Sequence, residues 1–129
     1  RPEGVRVISE ATAKTLTEML IGVTQEGGTA ESASINGYLV AGKTGTTEIL
    51  TDDSTVASFV GFLPARDPVL AIAVIVNRPE GIFGGTVAAP VFREVALAAM
   101  QALNIAPDPS VVAAQAARNG AGGERDASQ

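Results

Sequence analysis

Two apolar runs joined by a five-residue turn constrain this chain most. Val56 to Leu63 and Val69 to Val76 flank Pro64-Ala65-Arg66-Asp67-Pro68. The prolines and the aspartate pre-set turn geometry, so the two runs are expected to fold back on each other as strands. The second run is apolar at every position. Lack of alternation predicts burial on both faces of a sheet, with helices on each side.

A further strand is expected over Tyr38 to Thr46. Its end, Val40-Ala41-Gly42-Lys43-Thr44-Gly45-Thr46, combines a lysine, two hydroxyls and two glycines. Alternation puts Thr44 and Thr46 on one face and Lys43 on the other. Two hydroxyls side by side can hold an anionic group. The Lys43 ammonium adds positive charge at the same edge, on a stem long enough to curl toward a neighbour. Gly45 has no Cβ, so a ligand's backbone can lie against the strand. The combination suits an extended peptide with a free carboxylate.

Helix signals surround these strands. Ser9 is an N-cap and Glu10 an acid in the first turn, predicting a helix from Glu10 to Val23. Ala13, Leu16, Leu20 and Val23, with Met19 beside them, form the stripe expected to pack on the sheet. Gln25-Glu26-Gly27-Gly28-Thr29-Ala30 stops it, with Thr29 read as a turn residue. Thr47 to Thr55 is polar and reads as an exposed loop, with Asp52-Asp53-Ser54 as a solvated turn rather than a metal site. Thr86 is expected to cap a second long helix containing Pro90, with Val87, Val91, Val95, Met100 and Leu103 on its packing side. Asp108-Pro109 starts a short peripheral helix over Val111 to Arg118, and Ala121 to Gln129 is expected to be disordered. Two long helices are few for covering both faces of a sheet, which points to a piece of a larger domain.

Composition excludes several chemistries. The 129 residues carry a net charge of -5 and neither cysteine nor histidine. Disulfides, the usual zinc sites, Cys-His catalysis and a Ser-His-Asp triad are therefore excluded. No metal and no cofactor is implied. Nucleic acid is not expected as a partner, because no basic patch interleaved with aromatics is present. No apolar run reaches the roughly 18 residues of a membrane span. The chain opens on Arg1 without a signal peptide, and we expect something upstream to have been removed.

The same central stretch has a rival reading. Gly37 to Thr44 fits the pattern G-x-x-x-x-G-K-[ST] of phosphate-binding loops at every position. That loop needs a strand before its first glycine and a helix starting at its lysine. Tyr38-Leu39-Val40-Ala41 looks like a strand rather than a flexible loop, and Gly45, Thr46 and Thr47 disfavour the helix.

Three stretches, Val40-Ala-Gly-Lys-Thr-Gly-Thr46, Ala57-Ser-Phe-Val-Gly-Phe-Leu-Pro64 and Gly84-Gly-Thr-Val-Ala-Ala-Pro-Val-Phe92, fall in this order along the chain. Together they resemble one family, the class B penicillin-binding proteins, in the C-terminal part of their transpeptidase domain. The helix ahead of Glu26-Gly27-Gly28-Thr29 also fits. The likeness runs from about Val5 to Pro107, leaving 108–129 as a tail. The last block is more similar to the cell-division type than to the elongation type.

The resemblance implies an α+β fold, an antiparallel sheet flanked by helices. It implies peptidoglycan cross-linking through a serine acyl-enzyme, with penicillins and other β-lactams acylating the same serine. Lys43 would support the proton network and the anionic ligand. Thr44 and Thr46 would hydrogen-bond the carboxylate of substrate or β-lactam beside Gly45. The Thr46 backbone N–H would supply half of the oxyanion hole. Division-machinery membrane proteins would be partners, at the extracytoplasmic face of the bacterial membrane, with an anchor in an N-terminal segment outside this chain.

One departure matters. The family's nucleophile motif is S-x-x-K, and no serine here has a lysine three residues on. Ser34-Ile35-Asn36 matches the second motif, S-x-N, but sits too near Lys43 to stand on the opposite wall of a cleft. A serine without an adjacent base is a weak nucleophile. This chain alone is therefore expected to be inactive, one wall of a site completed by an upstream segment or companion chain. A serine β-lactamase or carboxypeptidase shares the Lys-Thr-Gly motif, but the Gly84 to Phe92 block argues against both. A non-catalytic peptide-binding module is the remaining alternative.

Overall fold

The turn at Pro64 to Pro68 does bring its flanking strands together. In a computed structural model, which describes residues 4–49, 54–79 and 84–123, the elements run in the following order. Helix α1 spans Glu10–Gly22, a single 3-10 turn Glu31–Ala33, and strands β1, β2 and β3 span Ala41–Ile49, Ser54–Leu63 and Leu70–Asn77. Helices α2 and α3 span Gly84–Ala102 and Pro109–Gly123. The strands form one antiparallel sheet in the order β1-β2-β3. Register runs from Leu63 opposite Leu70 to Val56 opposite Asn77, and from Ala41 opposite Phe62 to Ile49 opposite Ser54. The fold is thus α+β, as expected.

The expected loop from Thr47 to Thr55 is shorter than its polarity suggested. Thr47, Glu48 and Ile49 belong to β1, and Ser54 and Thr55 to β2. An antiparallel pair tolerates polar side chains where its faces meet solvent. Asp52 and Asp53 lie outside the described residues.

One sheet face carries the core. Ala57, Phe59, Gly61 and Leu63 of β2 share it with Leu70, Ile72, Val74 and Val76 of β3. Helix α2 covers them with Ala88, Ala89, Phe92, Ala96 and Met100, all fully buried. The rings of Phe59 and Phe92 meet edge to face, with centroids 4.8 Å apart at 72°. This corrects the expected packing side, since Val91, Val95 and Leu103 are exposed. Ala88, Phe92, Ala96 and Met100 follow one another at four-residue spacing along the covered face, and Val91 and Val95 are turned outward. The helix also begins at Gly84, so Thr86 lies inside it rather than capping it.

The second face is covered only at one end. There α1 places Ile21 and Leu20 against Ala41, Phe62 and Ala65. Ser9 caps α1 as expected, its Oγ accepting from the Thr12 N–H at 3.1 Å. Ala13 and Thr17 are half-buried on the same side as Leu20 and Ile21, whereas Leu16 and Met19 are exposed. Burial of β3 on both faces is not found either. Ala71, Ala73 and Ile75 are exposed, Ile75 by 70%, because α1 does not extend over them.

Candidate functional site

Lys43, Thr44, Gly45 and Thr46 fall in the middle of β1, at the edge of the sheet. Thr44 lies opposite Phe59 and Thr46 opposite Ala57, residues of the face that α2 covers. Lys43 and Gly45, opposite Val60 and Ser58, belong to the other face. The alternation expected from sequence holds.

The lysine does not stay on its own side. Its Nζ donates to the Thr44 carbonyl at 2.9 Å and lies 3.2 Å from Thr44 Oγ1. The four-carbon stem thus curls back to bring the ammonium beside a hydroxyl of the opposite face. Lys43 and Thr46 are exposed and Thr44 is half-buried, so an incoming anion can reach this group. Hydroxyl donors and an ammonium in one place can hold a carboxylate by charge-assisted hydrogen bonds.

The start of α2 borders the Thr44 side chain at its methyl group. A Cβ on Gly85 would sit 3.5 Å from Thr44 Cγ2 and only 2.0 Å from the Thr29 carbonyl oxygen. Ser32 Oγ donates to the Gly85 carbonyl at 2.8 Å, fixing the helix start in that position. The positive end of the α2 dipole therefore lies beside Thr44. Sequence reasoning missed Gly85; the Gly84-Gly85 pair before a helical run was the signal of a close backbone approach. Thr29 is the turn residue expected, in a turn closed by the Ala30 N–H donating to Val23 O at 2.9 Å.

Gly45 also lies close against the Ser58 side chain of β2. A Cβ there would lie 2.6 Å from Ser58 Oγ, which donates to the Gly45 carbonyl at 3.3 Å.

Ser34-Ile35-Asn36 is not part of this group. It forms the turn ahead of β1, with Ile35 buried and the Ser34 carbonyl accepting from Arg93 Nε at 3.1 Å. Ser34 and Asn36 line a groove of about 680 Å³ together with Gln25, Glu31, Gln115 and Arg118. A second groove, of about 440 Å³, runs along α1 past Glu10, Lys14, Glu18 and Arg66. Glu18 and Arg66 form a bidentate pair, Nε to Oε1 at 3.0 Å and Nη2 to Oε2 at 3.2 Å. These hydrogen bonds, and then the guanidinium charge, hold the Glu18 carboxyl below the usual carboxylate range. Neither groove is lined by Lys43, Thr44 or Thr46.

The phosphate-loop reading is overturned. Strand β1 runs through Lys43 to Ile49, where that loop requires a helix, and Gly37 occupies a turn at φ +81°. No helix amino terminus starts at Lys43 to receive phosphate.

Comparison with known proteins agrees with this geometry. The pattern described as "Penicillin binding protein transpeptidase domain" matches residues 1–97. The chain belongs to the penicillin-binding protein transpeptidase family. It is similar to the "Probable peptidoglycan D,D-transpeptidase PenA" of Neisseria flavescens, 39% identical over 113 residues, covering 82% of this chain and 28% of that protein. The "Peptidoglycan D,D-transpeptidase FtsI" of Escherichia coli K12 is 35% identical over 112 residues, covering 81% of this chain and 19% of its own length. Among solved structures, the apo transpeptidase domain of Burkholderia pseudomallei penicillin-binding protein 3 superposes with a TM-score of 0.75 at 38% identity, over 82% of this chain and 34% of that one. The chain therefore spans only about a fifth to a third of these relatives.

Proposed function

We propose that this chain is one wall of the active site of a peptidoglycan D,D-transpeptidase, of the cell-division type. The observation that carries the reading is the Lys43 ammonium drawn round to the carbonyl and hydroxyl of Thr44, on an edge strand of a transpeptidase-family chain. Lys43 supports the proton network and, with the hydroxyls of Thr44 and Thr46, holds the terminal carboxylate of a stem peptide or the carboxylate of a β-lactam. Gly45 lets the extended ligand lie against the strand.

The lysine's approach also supports the oxyanion role. A Thr44 carbonyl that accepts from Lys43 is directed toward the open edge of the sheet. Peptide groups of a strand repeat their direction every second residue, so the Thr46 N–H is aimed to the same edge. That N–H supplies half of the oxyanion hole. A donor of this kind acts on charge that develops in the transition state, and losing one costs about 10²–10³ in rate.

The chemistry needs residues that this chain lacks. The nucleophilic serine with its S-x-x-K lysine, and the S-x-N motif, are supplied by an upstream segment or a companion chain. The serine attacks the penultimate D-alanine carbonyl, the terminal D-alanine leaves, and an amine of a second strand resolves the acyl-enzyme. No helix among the described residues is long and apolar enough to cross a membrane. Attachment to the extracytoplasmic membrane face, and contact with division proteins, fall to the remainder of the protein.

The test is to incubate the complete natural protein and this chain, separately, with a fluorescent penicillin and to separate the denatured products by size. Label on the complete protein and none on this chain is the expected result. Label on this chain would make one of its own serines the nucleophile. No label on either would remove the transpeptidase reading, and reversible peptide affinity without acylation would favour a binding module.

A further inference from the structure

The segment that follows α2 closes on the turn that launches β1. Helix α2 ends with Asn104 at φ +53° and the Ile105 N–H donating to Met100 O at 3.0 Å, a left-handed C-terminal cap. The chain then turns back toward residues 35–38. The Tyr38 hydroxyl donates to the Ile105 carbonyl at 2.6 Å. The Asp108 N–H donates to the Gly37 carbonyl at 2.9 Å. Gln115, on α3, completes the contact with both ends of its amide. Its Oε1 accepts from the Gly37 N–H at 2.8 Å, and its Nε2 donates to the Ile35 carbonyl at 3.2 Å.

The turn so gripped has little freedom. Gly37 is held at φ +81°, and a Cβ on it would lie 2.4 Å from Pro107 Cβ. Ile35 and Tyr38 are buried on either side. Immediately afterwards the Leu39 carbonyl accepts from the Ala65 N–H at 2.8 Å, and the Val40 carbonyl from Thr24 Oγ1 at 2.7 Å. Strand β1 begins at the next residue, and Lys43 follows two positions later. The turn is therefore joined to the candidate site by a short, fully anchored run of backbone. The family pattern ends at residue 97, so none of Ile105, Asp108 or Gln115 lies within it. From sequence, this region read only as a peripheral helix and tail.

We infer that residues 105–115 form a clasp that sets the position of β1, and that Gln115 is a positioning residue for Lys43, Thr44 and Thr46. The inference rests on the transpeptidase reading above for what the strand does, though not for how it is held. Losing the Gln115 amide takes the partner from the Gly37 N–H and leaves the Ile35 carbonyl only its bond from the Tyr38 N–H. The turn keeps its bonds to Asp108 and Ile105 but loosens, and a shift passed along residues 38–42 displaces β1, which among the described residues pairs only with β2. Misplacement of a reacting group by about 1 Å can cost about 10²-fold in rate, so a partial loosening should cost about tenfold.

The experiment uses the complete protein in three forms: wild type, Gln115→Ala, and Arg118→Ala as a control. Arg118 ties α3 to Gln25 through its Nη1, whereas Gln115 bonds the 35–38 turn itself. Two quantities are read well below the melting temperature: the second-order rate of acylation by a fluorescent penicillin, and amide hydrogen exchange along the chain. Gln115→Ala should lower acylation about tenfold. It should also speed exchange over residues 35–44 while leaving β3 unchanged. Arg118→Ala should match wild type in both. Faster exchange with unchanged acylation would reduce the clasp to a structural role and overturn the positioning claim. Equal losses in both variants would mean that any undocking of α3 has the same effect, and would overturn the assignment to Gln115. If the wild-type protein is not acylated, the transpeptidase reading fails, and exchange over residues 35–44 alone decides whether the clasp exists.

Discussion

Lys43 Nζ lies 2.9 Å from the carbonyl oxygen of Thr44, although the two side chains leave opposite faces of β1. The contact crosses the edge of the strand and concentrates an ammonium and a hydroxyl where we propose that a carboxylate is held. Lys43 is exposed, so its removal should change stability by no more than about 0.5 kcal/mol. If the ammonium serves proton transfer and anion binding, Lys43→Ala in the complete protein should slow penicillin acylation about 10²-fold or more. Acylation kinetics and thermal denaturation of the same preparation check this. An unchanged acylation rate would remove Lys43 from the site.

Thr44 offers a finer test of the proposed carboxylate contact. Thr44→Val keeps the β-branched shape that suits a strand and removes only the hydroxyl. A hydrogen bond to a charged group contributes about 1.5–3 kcal/mol. Acylation efficiency toward penicillin should therefore fall roughly 10- to 100-fold, which is the same energy expressed as a rate ratio. A β-lactam with its carboxylate esterified should show a much smaller difference between wild type and variant. Equal losses for both ligands would place the effect of Thr44 in folding rather than in recognition.

The strands, α1 and the Lys-Thr-Gly-Thr stretch were legible because their signals are local. Turn residues at Pro64 to Pro68, the Ser9 cap and two-residue alternation in β1 each act within a few residues. Long-range partners were not legible. Nothing in the run Leu70 to Val76 says that only one of its faces will find a helix, so Ile75 was expected inside and lies outside. In α2 Met100 packs inward as expected, but Val91 and Val95 do not; Ala88, Ala89, Phe92 and Ala96 take the covered face, where the alanines leave room for the Phe59 and Phe92 rings. Gly85 and Gln115 were missed for the same reason. Each matters through an atom far away in sequence, the Thr29 carbonyl for one and the Gly37 turn for the other.

Gly85 is the position where a methyl group should do the most damage near the site. A Cβ there would meet the Thr29 carbonyl oxygen at 2.0 Å, and backbone cannot swing aside as a side chain can. The helix start must move, and the hydrogen bond from Ser32 Oγ to the Gly85 carbonyl goes with it. Overpacking of this kind costs about 1–3 kcal/mol. Gly85→Ala should lower the melting temperature and also acylation, since Thr44 borders the displaced turn. Gly22→Ala is the control, because a Cβ there has nothing within 4 Å. If both variants behave alike, the close approach at Gly85 has no consequence.

The edge-to-face pair of Phe59 and Phe92 joins the central strand to α2, and both rings are completely buried. Truncation of a buried aromatic ring costs about 3–5 kcal/mol, through lost transfer energy and the cavity left behind. Phe92→Ala should therefore unfold much of the domain at moderate denaturant, whereas Phe92→Leu should be milder. Equilibrium urea unfolding of the complete protein gives the comparison. A cost below about 1 kcal/mol for the alanine variant would mean that α2 does not rest on the sheet through this ring.

Acid should weaken the tie between α1 and the turn that holds β1 from the other side. Glu18 is bonded at both carboxylate oxygens to Arg66, next to Ala65, whose N–H donates to the Leu39 carbonyl. The pair lowers the carboxyl pKa in the folded state, through the guanidinium hydrogen bonds first and its charge second. A depressed carboxylate contributes stability that is fully present above its unfolded pKa of about 4.3. That contribution is lost as the pH falls through the lower, folded value. Both side chains are more than half exposed, so the contribution is small and screened by salt. Melting temperatures between about pH 6 and pH 3 should fall slightly more steeply for wild type than for Glu18→Gln, and the difference should shrink at high salt. Parallel curves across that range would show that the pair holds the turn no better than water does.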